Sequence, residues 1–346
     1  MVLHAIDPTN DTRWDDLLER HSEASVFHTP GWLEALRRTY GYRPIAFTSA
    51  ATGCPLTCGL VCCEISGLLG KRRLVSLPFS DHCAPLAEDS GQLINLLAAL
   101  RENLSAGMWK HLEIRVTESA VPICEGFEKS AAFFLHKLDL GPSIEKMFAN
   151  LHKDCVQRKI KRAEREKLTY KEGSSELLLG EFYKLLLLTR RRHGLPPQPM
   201  GWFRNLIACL GDKAKIGIAS KDRNPVAGIF TLQYKHTLVY KYGCSDEKFR
   251  QFGGMQMIIW RAIQDAKINN LAEFDMGRSD CDDSGLVKFK DRWNATRTTL
   301  VYLQYPRPAH GSLREKARGK FSKRVFATMP DGLRSATGRL LYKYMG

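Results

Sequence analysis

Acidic residues are short in this sequence: 37 Asp and Glu stand against 52 Lys and Arg, a formal net charge of +15 over 346 residues. Long apolar runs are missing as well. The best candidates, Leu93–Leu100 and Leu185–Leu188, are far below the ~18 residues that a membrane span requires. The first residues, Met1-Val-Leu-His-Ala-Ile-Asp-Pro, lack the basic start and apolar stretch of a secretory leader, so a soluble cytoplasmic protein is expected. No His-Glu-x-x-His, phosphate-binding Walker loop, nucleophile elbow or Ser-His-Asp order occurs. Ten cysteines are present, with Cys54, Cys58 and Cys62 four apart, but no second pair completes a zinc or iron–sulfur spacing. They read as small buried hydrophobes, and no metal site is expected.

The positive charge is concentrated. From Arg307 to Gly346 ten Lys or Arg oppose only Glu315 and Asp331, so this stretch holds +8 of the total. A second basic run is Lys153-Asp-Cys-Val-Gln-Arg-Lys-Ile-Lys-Arg. Such fields suit phosphate-bearing partners or acidic lipid surfaces, and also simply keep a protein in solution. In the tail, Phe321, Val325 and Phe326 interleave with Lys320, Lys323 and Arg324, and Leu340, Leu341 and Tyr344 with Arg339 and Lys343. That pattern fits a helix lying peripherally on an anionic membrane, or equally one docked on its own domain.

Along the chain, helices and strands alternate as in a mixed α/β protein. Thr29-Pro30 opens a helix as cap and first helical residue. Strands are expected at Pro44–Thr48, Leu56–Ile65, Arg73–Pro78, His111–Val116 and Phe133–Leu140, with a helix over Gln92–Ala106. The second half continues with helices at Glu176–Arg192 and Trp202–Leu210, then strands at Lys215–Ser220, Pro225–Tyr234 and Thr237–Tyr242. A helix at Met255–Lys267, a strand at Ala272–Gly277, a helix near Gly285–Trp293 and a strand at Thr298–Tyr305 complete it. The order strand, Ser-Asp, loop, helix, acidic strand occurs twice, with Ser80-Asp81 and Ser245-Asp246 offset by 165 residues (245 − 80). Two copies of one α/β unit follow, expected at 1–150 and 151–306, with a basic helical tail at 307–346.

Three constellations carry chemistry. Arg250-x-x-Gly253-Gly254 precedes a helix directly after a strand, a place where free amides and the helix dipole attract anions. Next, Asp275-Met-Gly-Arg278-Ser279-Asp280 leads through Gly285 to Phe289, Lys290 and Trp293. An acid, a cation and a hydroxyl thus reach the carboxyl edge of a sheet, with Lys290 reaching back over it to meet a phosphate or oxyanion. Third, Arg190, Arg191, Arg192 and His193 end a helix before a proline-rich loop. The arginines complement the dipole, and His193 is a candidate proton acceptor. Tyr240 and Tyr242, two apart on one strand, are expected on one face, in a core or lining a groove.

Taken together, Phe27-His-Thr-Pro-Gly-Trp32, Leu74–Asp81, Arg158-Lys-Ile-Lys-Arg-Ala-Glu164, Tyr240–Asp246, Asp275–Asp280 and Gly285–Trp293 resemble the Fem-type transferases. These are built from two tandem domains of the Gcn5-related N-acetyltransferase (GNAT) fold. The block Thr189–Pro199 resembles the branch associated with exosortase and exopolysaccharide systems. The resemblance runs over roughly Phe27 to Pro306. It implies acyl transfer to an amine, from an aminoacyl-tRNA in Fem relatives and from an acyl-CoA in others. The lysine associated with activity in the Fem proteins matches Lys290.

The expected function is therefore an N-acyltransferase or aminoacyltransferase acting on a cell-envelope, peptidoglycan or exopolysaccharide precursor. Its candidate catalytic residues are Lys290, Asp280 and His193. Arg190, Arg192, Tyr240, Tyr242, Arg278, Ser279, Phe289 and Trp293 are expected to bind substrate, and Arg250, Gly253 and Gly254 the donor. No cofactor is expected to be tightly bound, with acyl-CoA or aminoacyl-tRNA as co-substrate. The alternative is a degenerate module that holds an anionic glycan, lipid or RNA.

Overall fold

The computed structural model describes residues 2–66, 72–105, 109–118, 126–306, 337–338 and 340–344. The chain divides into two compact units, one ending at Phe133 and regaining the chain from Thr298, the other running from Phe134 to Arg297. This cut differs from the expected one at residue 150. It falls within a single long strand, and the last strand of the second half belongs to the first unit.

The first unit contains β1 (His4–Ile6), α1 (Thr12–Arg20), α2 (Pro30–Tyr40), β2 (Arg43–Thr48), β3 (Cys58–Ser66), β4 (Arg72–Ser76), β5 (Leu86–Ala87), α3 (Ser90–Ser105) and β6 (Leu112–Thr117). The first half of β7 (Glu128–Asp139) follows. Local chemistry sets the ends of α2. Thr29 Oγ1 accepts from the Trp32 amide, Pro30 occupies the first helical position, and Gly41 stops the helix at φ +72°. Trp14, Phe27 and Trp32 on this side are wholly buried. Each such side chain contributes on the order of 2–3 kcal/mol relative to exposure. Cys58 and Cys62 pack with Leu60, Leu96 and Leu100 in the same unit, so these thiols fill core.

The second unit contains α4 (Ile144–Asn150), α5 (Arg158–Arg165), β8 (Thr169–Gly173), α6 (Glu176–Arg192), α7 (Met200–Leu210), β9 (Ala214–Lys221), β10 (Asn224–Tyr234) and β11 (Thr237–Ser245). It ends with α8 (Gly254–Ile268), β12 (Glu273–Asp280) and α9 (Ser284–Asp291), before β13 (Thr296–Tyr305) returns to the first unit. Sheet order is β1-β2-β3-β4-β6-β13-β7 in the first unit and β7-β12-β11-β10-β9-β8 in the second, with β7 contributing one half to each.

The expected repeat is present in the topology. In each unit an antiparallel pair is followed by a helix and a parallel strand: β3-β4-α3-β6 and β10-β11-α8-β12. Each parallel contact lasts three residue pairs, Leu74–Ser76 with Leu112–Ile114 and Thr237–Val239 with Glu273–Asp275. Beyond these the strands part.

The two openings differ. In the first unit the chain closes its own gap: Cys83 bridges Arg115, whose guanidinium donates to the Leu77 and Ser80 carbonyls at 2.6 and 2.9 Å. Among the described residues no comparable bridge follows Val239 and Asp275 in the second unit.

One expectation about faces is corrected. Phe230 pairs with Tyr242 but Thr231 with Tyr240, so Lys241 is an extra residue that bulges out of the ladder. The bulge resets the alternation and sends the two tyrosines to opposite sides of the sheet. Tyr242 packs 5.2 Å from Phe203 and accepts from the Trp202 indole at 2.9 Å, whereas Tyr240 packs on the core formed by α5 and α8.

Of the basic tail, Phe321, Val325 and Phe326 lie outside the described residues. Residues 340–344 are helical and dock on the first unit. Tyr42 donates to the Tyr342 carbonyl at 2.6 Å and Arg73 to that of Tyr344 at 2.9 Å. For this stretch the docked reading of the amphipathic pattern holds. Among the described residues no helix is long and apolar enough to cross a membrane.

Candidate active site

The second unit's opening is organised by the end of β12. At Gly277, φ is +71°, which glycine adopts without a Cβ penalty, and its amide donates to the buried Asp275 carboxylate at 2.7 Å. This kink delivers the Gly277 and Arg278 carbonyls to one cation: Lys290 Nζ donates to them at 2.7 and 2.8 Å. Lys290 is only 2% exposed. Its helix α9 is started by Asp283, whose carboxylate accepts from the Leu286 amide, and this fixes the phase that turns Lys290 inward. The ammonium reaches the sheet edge as the sequence suggests, but it is spent on the chain's own carbonyls and does not stand over an open cleft.

Beside it lies a pair that the sequence analysis did not single out. His136 on β7 is fully buried, and its Nε2 donates to the Asp291 carboxylate on α9 at 3.1 Å. Its Nδ1 is buried with no protein partner. Burial, and then the Lys290 charge, hold the imidazole below its ordinary pKa; the Asp291 contact opposes them. The only signal in the sequence was phase, since His136 sits two residues before the buried Leu138.

The remaining candidates separate. Asp280 ends β12 and is exposed. Ser279 is buried, with a hydroxyl that has no protein partner. Arg278 and Phe289 are half-buried. Trp293 is completely buried, packed 6.4 Å from Phe289 in the α5–α8 core, so it holds α9 in place and presents no surface to a substrate. Tyr242 is likewise structural, tied to Trp202. Tyr240 lies across Gly243, where a Cβ would strike its hydroxyl, and points at the Met255 sulfur 3.9 Å away. Burial pushes its phenol pKa up.

His193 caps the exposed end of α6. Thr189 pins that end to the carboxyl end of β11 by donating to the Ser245 carbonyl and accepting its amide. Half-buried Arg190 and exposed Arg192 therefore sit at the carboxyl edge of β11. The helix itself packs on the Phe230–Tyr242 side, through Phe182, while α9 packs on the opposite core. The structure thus does not draw His193 and Lys290 into one packed cluster.

The glycines expected to cradle the donor have other neighbours. The Lys159 carbonyl of α5 occupies the place of a Gly253 side chain, and Val226 crowds Gly254. Close packing on their Cβ side is by itself a reason for glycine at these positions. Arg250 instead lines a cavity of about 470 Å³ with Asp154, Cys155, Lys159, Gln251, Gln256 and Arg292.

An antiparallel pair followed by a helix and a parallel strand that parts from its neighbour is the pattern of a GNAT-like unit, and this chain contains two in tandem, the second with a bulge in β11 before the parting. Residues 152–291 match the family described as an acetyltransferase (GNAT) domain. Among solved structures, the chain is similar to FemX at 12% identity, with 93% of this chain and 100% of that one covered and a TM-score of 0.66. It is also similar to L-PGS from Bacillus licheniformis (13% identity, 93% and 98% covered, TM-score 0.55). A tandem GNAT protein from the clavulanic acid biosynthesis pathway is a third (11% identity, 89% and 100% covered, TM-score 0.54). No curated protein matches the sequence. These likenesses place the fold.

Proposed function

We propose that the protein is an N-acyltransferase or aminoacyltransferase that moves an acyl group from an activated donor, acyl-CoA or aminoacyl-tRNA, to an amine on a cell-envelope or exopolysaccharide precursor. The observation that carries this reading is the contrast between the two openings. The first unit's is bridged by Cys83 and Arg115, whereas past Val239 and Asp275 the second unit's has no such bridge among the described residues and ends beside a buried cation. The transfer unit is the second one.

In this reading the acceptor nitrogen attacks the ester or thioester carbonyl carbon. A carbon–nitrogen bond forms, the bond to oxygen or sulfur breaks, and a proton leaves the nitrogen. Asp280, exposed at the strand end, is the accessible carboxylate for that proton. Lys290 sets the geometry: by holding two adjacent carbonyls it fixes the Gly277–Arg278 kink, and its charge raises the local potential in a site of low dielectric. Because the donors are already reactive toward a neutral amine, placement supplies much of the rate.

The test is a transfer assay on the full chain with radiolabelled acetyl-CoA, longer acyl-CoAs and charged tRNA, against amine-bearing envelope precursors. Transfer that disappears in Asp280→Asn supports the reading. Absence of transfer from every donor, together with binding of polyanions in proportion to their charge, instead supports the anion-holding module.

A further inference from the structure

The transfer reading leaves one buried titratable group unused: His136, in the half of β7 that belongs to the second unit. A wholly buried imidazole costs free energy that Leu or Phe at the same place would not, unless its polar atoms are needed there. Its one hydrogen bond among the described residues is the 3.1 Å contact from Nε2 to the Asp291 carboxylate. The ring therefore serves whatever that bond holds.

Asp291 follows Lys290 in α9, and side chains of adjacent residues leave a helix about 100° apart around its axis. Lys290 reaches β12, through the Gly277 and Arg278 carbonyls at 2.7 and 2.8 Å, and Asp291 reaches β7, the strand beside β12. The Asp283 cap and the buried Trp293 hold α9 at its two ends. The two adjacent side-chain anchors fix how its last turn is rotated against the sheet. Arg297 Nη1 stands 4.0 Å from the other Asp291 oxygen, but both side chains are about half exposed, and a pair of that kind adds little. The bond from His136 is the stronger hold on Asp291.

We propose that His136 is a positioning residue for Lys290: by tying Asp291 to β7 it fixes the rotation of α9 that sets the Lys290 ammonium on the Gly277 and Arg278 carbonyls. The proposal deepens the transfer reading and rests on it only for the effect on catalysis; the placement of Lys290 is measured without any transfer. Burial and the Lys290 charge lower the pKa of the ring, so at neutral pH it holds Asp291 as a neutral donor and adds no second cation beside the ammonium.

The full chain is treated near neutral pH with a limiting amount of N-hydroxysulfosuccinimide acetate. Acetylation is followed lysine by lysine by mass spectrometry, with exposed Lys248 as internal reference and circular dichroism as the check on folding. Buried Lys290 is expected to be protected in the parent. His136→Phe keeps a ring but no donor, and should raise Lys290 acetylation relative to Lys248 by roughly fivefold or more. His136→Gln retains an amide donor in place of Nε2 and should stay near the parent level. Asp291→Ala, at a half-exposed position that tolerates change, should match His136→Phe, and the double variant should add nothing further. A role in packing alone predicts the opposite order, with Phe tolerated and Gln not. Parent-like protection in Asp291→Ala, or a loss in His136→Gln equal to that in His136→Phe, overturns the proposal; should His136→Phe not fold, the Asp291→Ala and His136→Gln results decide. In the transfer assay, His136→Phe should lower kcat roughly tenfold with KM little changed. A parent chain that transfers nothing counts against the enzymatic reading alone.

Discussion

Lys290 Nζ lies 2.7 Å from the carbonyl oxygen of Gly277, thirteen residues earlier in the chain, and the pair is buried. A helix begun by Asp283 and a strand kinked at φ +71° meet in that bond. The lysine is consequently part of the folded edge as well as part of the proposed site. Replacing it with Met is expected to lower transfer at least tenfold and also to cost about 2–3 kcal/mol of stability, because two buried carbonyls lose their donor. Urea denaturation alongside the transfer assay checks both. A variant as stable as the parent would show that the ammonium contributes nothing to the edge.

The tyrosines of β11 give a paired experiment. Tyr242→Phe strands the buried Trp202 indole N–H and should cost about 1–3 kcal/mol, whereas Tyr240→Phe, which loses only a 3.9 Å contact with sulfur, should cost well under 1 kcal/mol. Thermal melts of the two variants compare them directly; equal shifts would contradict the separation of faces described above.

Glycine substitutions discriminate packing from turn geometry. Gly41 and Gly253 both have φ above +70°, but nothing lies near a Cβ at Gly41, while the Lys159 backbone blocks one at Gly253. Gly41→Ala should cost about 1 kcal/mol and Gly253→Ala at least twice that, since α5 must move. Chemical denaturation midpoints at constant slope provide the measurement.

His28 predicts an acid-sensitive step. Its Nδ1 accepts from the Ser25 amide and its Nε2 donates to the Ala84 carbonyl, so the neutral ring is the form that fits. Burial lowers its pKa to about 4 from 6.5. The unfolded chain therefore binds the proton first. This contribution is fully present above pH 6.5, is lost as pH falls toward 4, and amounts to about 3 kcal/mol below that. The difference in unfolding free energy between the parent and His28→Asn, measured from pH 7 to pH 4, should shrink by this amount. A difference independent of pH would mean that the ring titrates normally.

Much of this architecture is legible in the residues themselves. Thr29-Pro30 marks a helix start, and the duplicated order of elements announces two units. These signals are local, so physics within a few residues suffices. The site is less legible because its contacts are distant in sequence. His136 and Asp291 are 155 positions apart, and no spacing rule relates them. Tyr-Lys-Tyr reads the same with or without a bulge, since the extra residue is expressed only in the pairing with Phe230 and Thr231. The glycines before α8 look identical whether the oxygen that approaches them belongs to a phosphate or to Lys159.

The bulge at Lys241 makes residue count, more than residue identity, the sensitive variable in β11. Removing that one position would slide the downstream half of the strand by a step against Phe230, exchanging what Tyr242 and Gly243 present to the helices above and below. A deletion at this point is accordingly expected to disturb both faces of the strand at once, where a single side-chain replacement disturbs one.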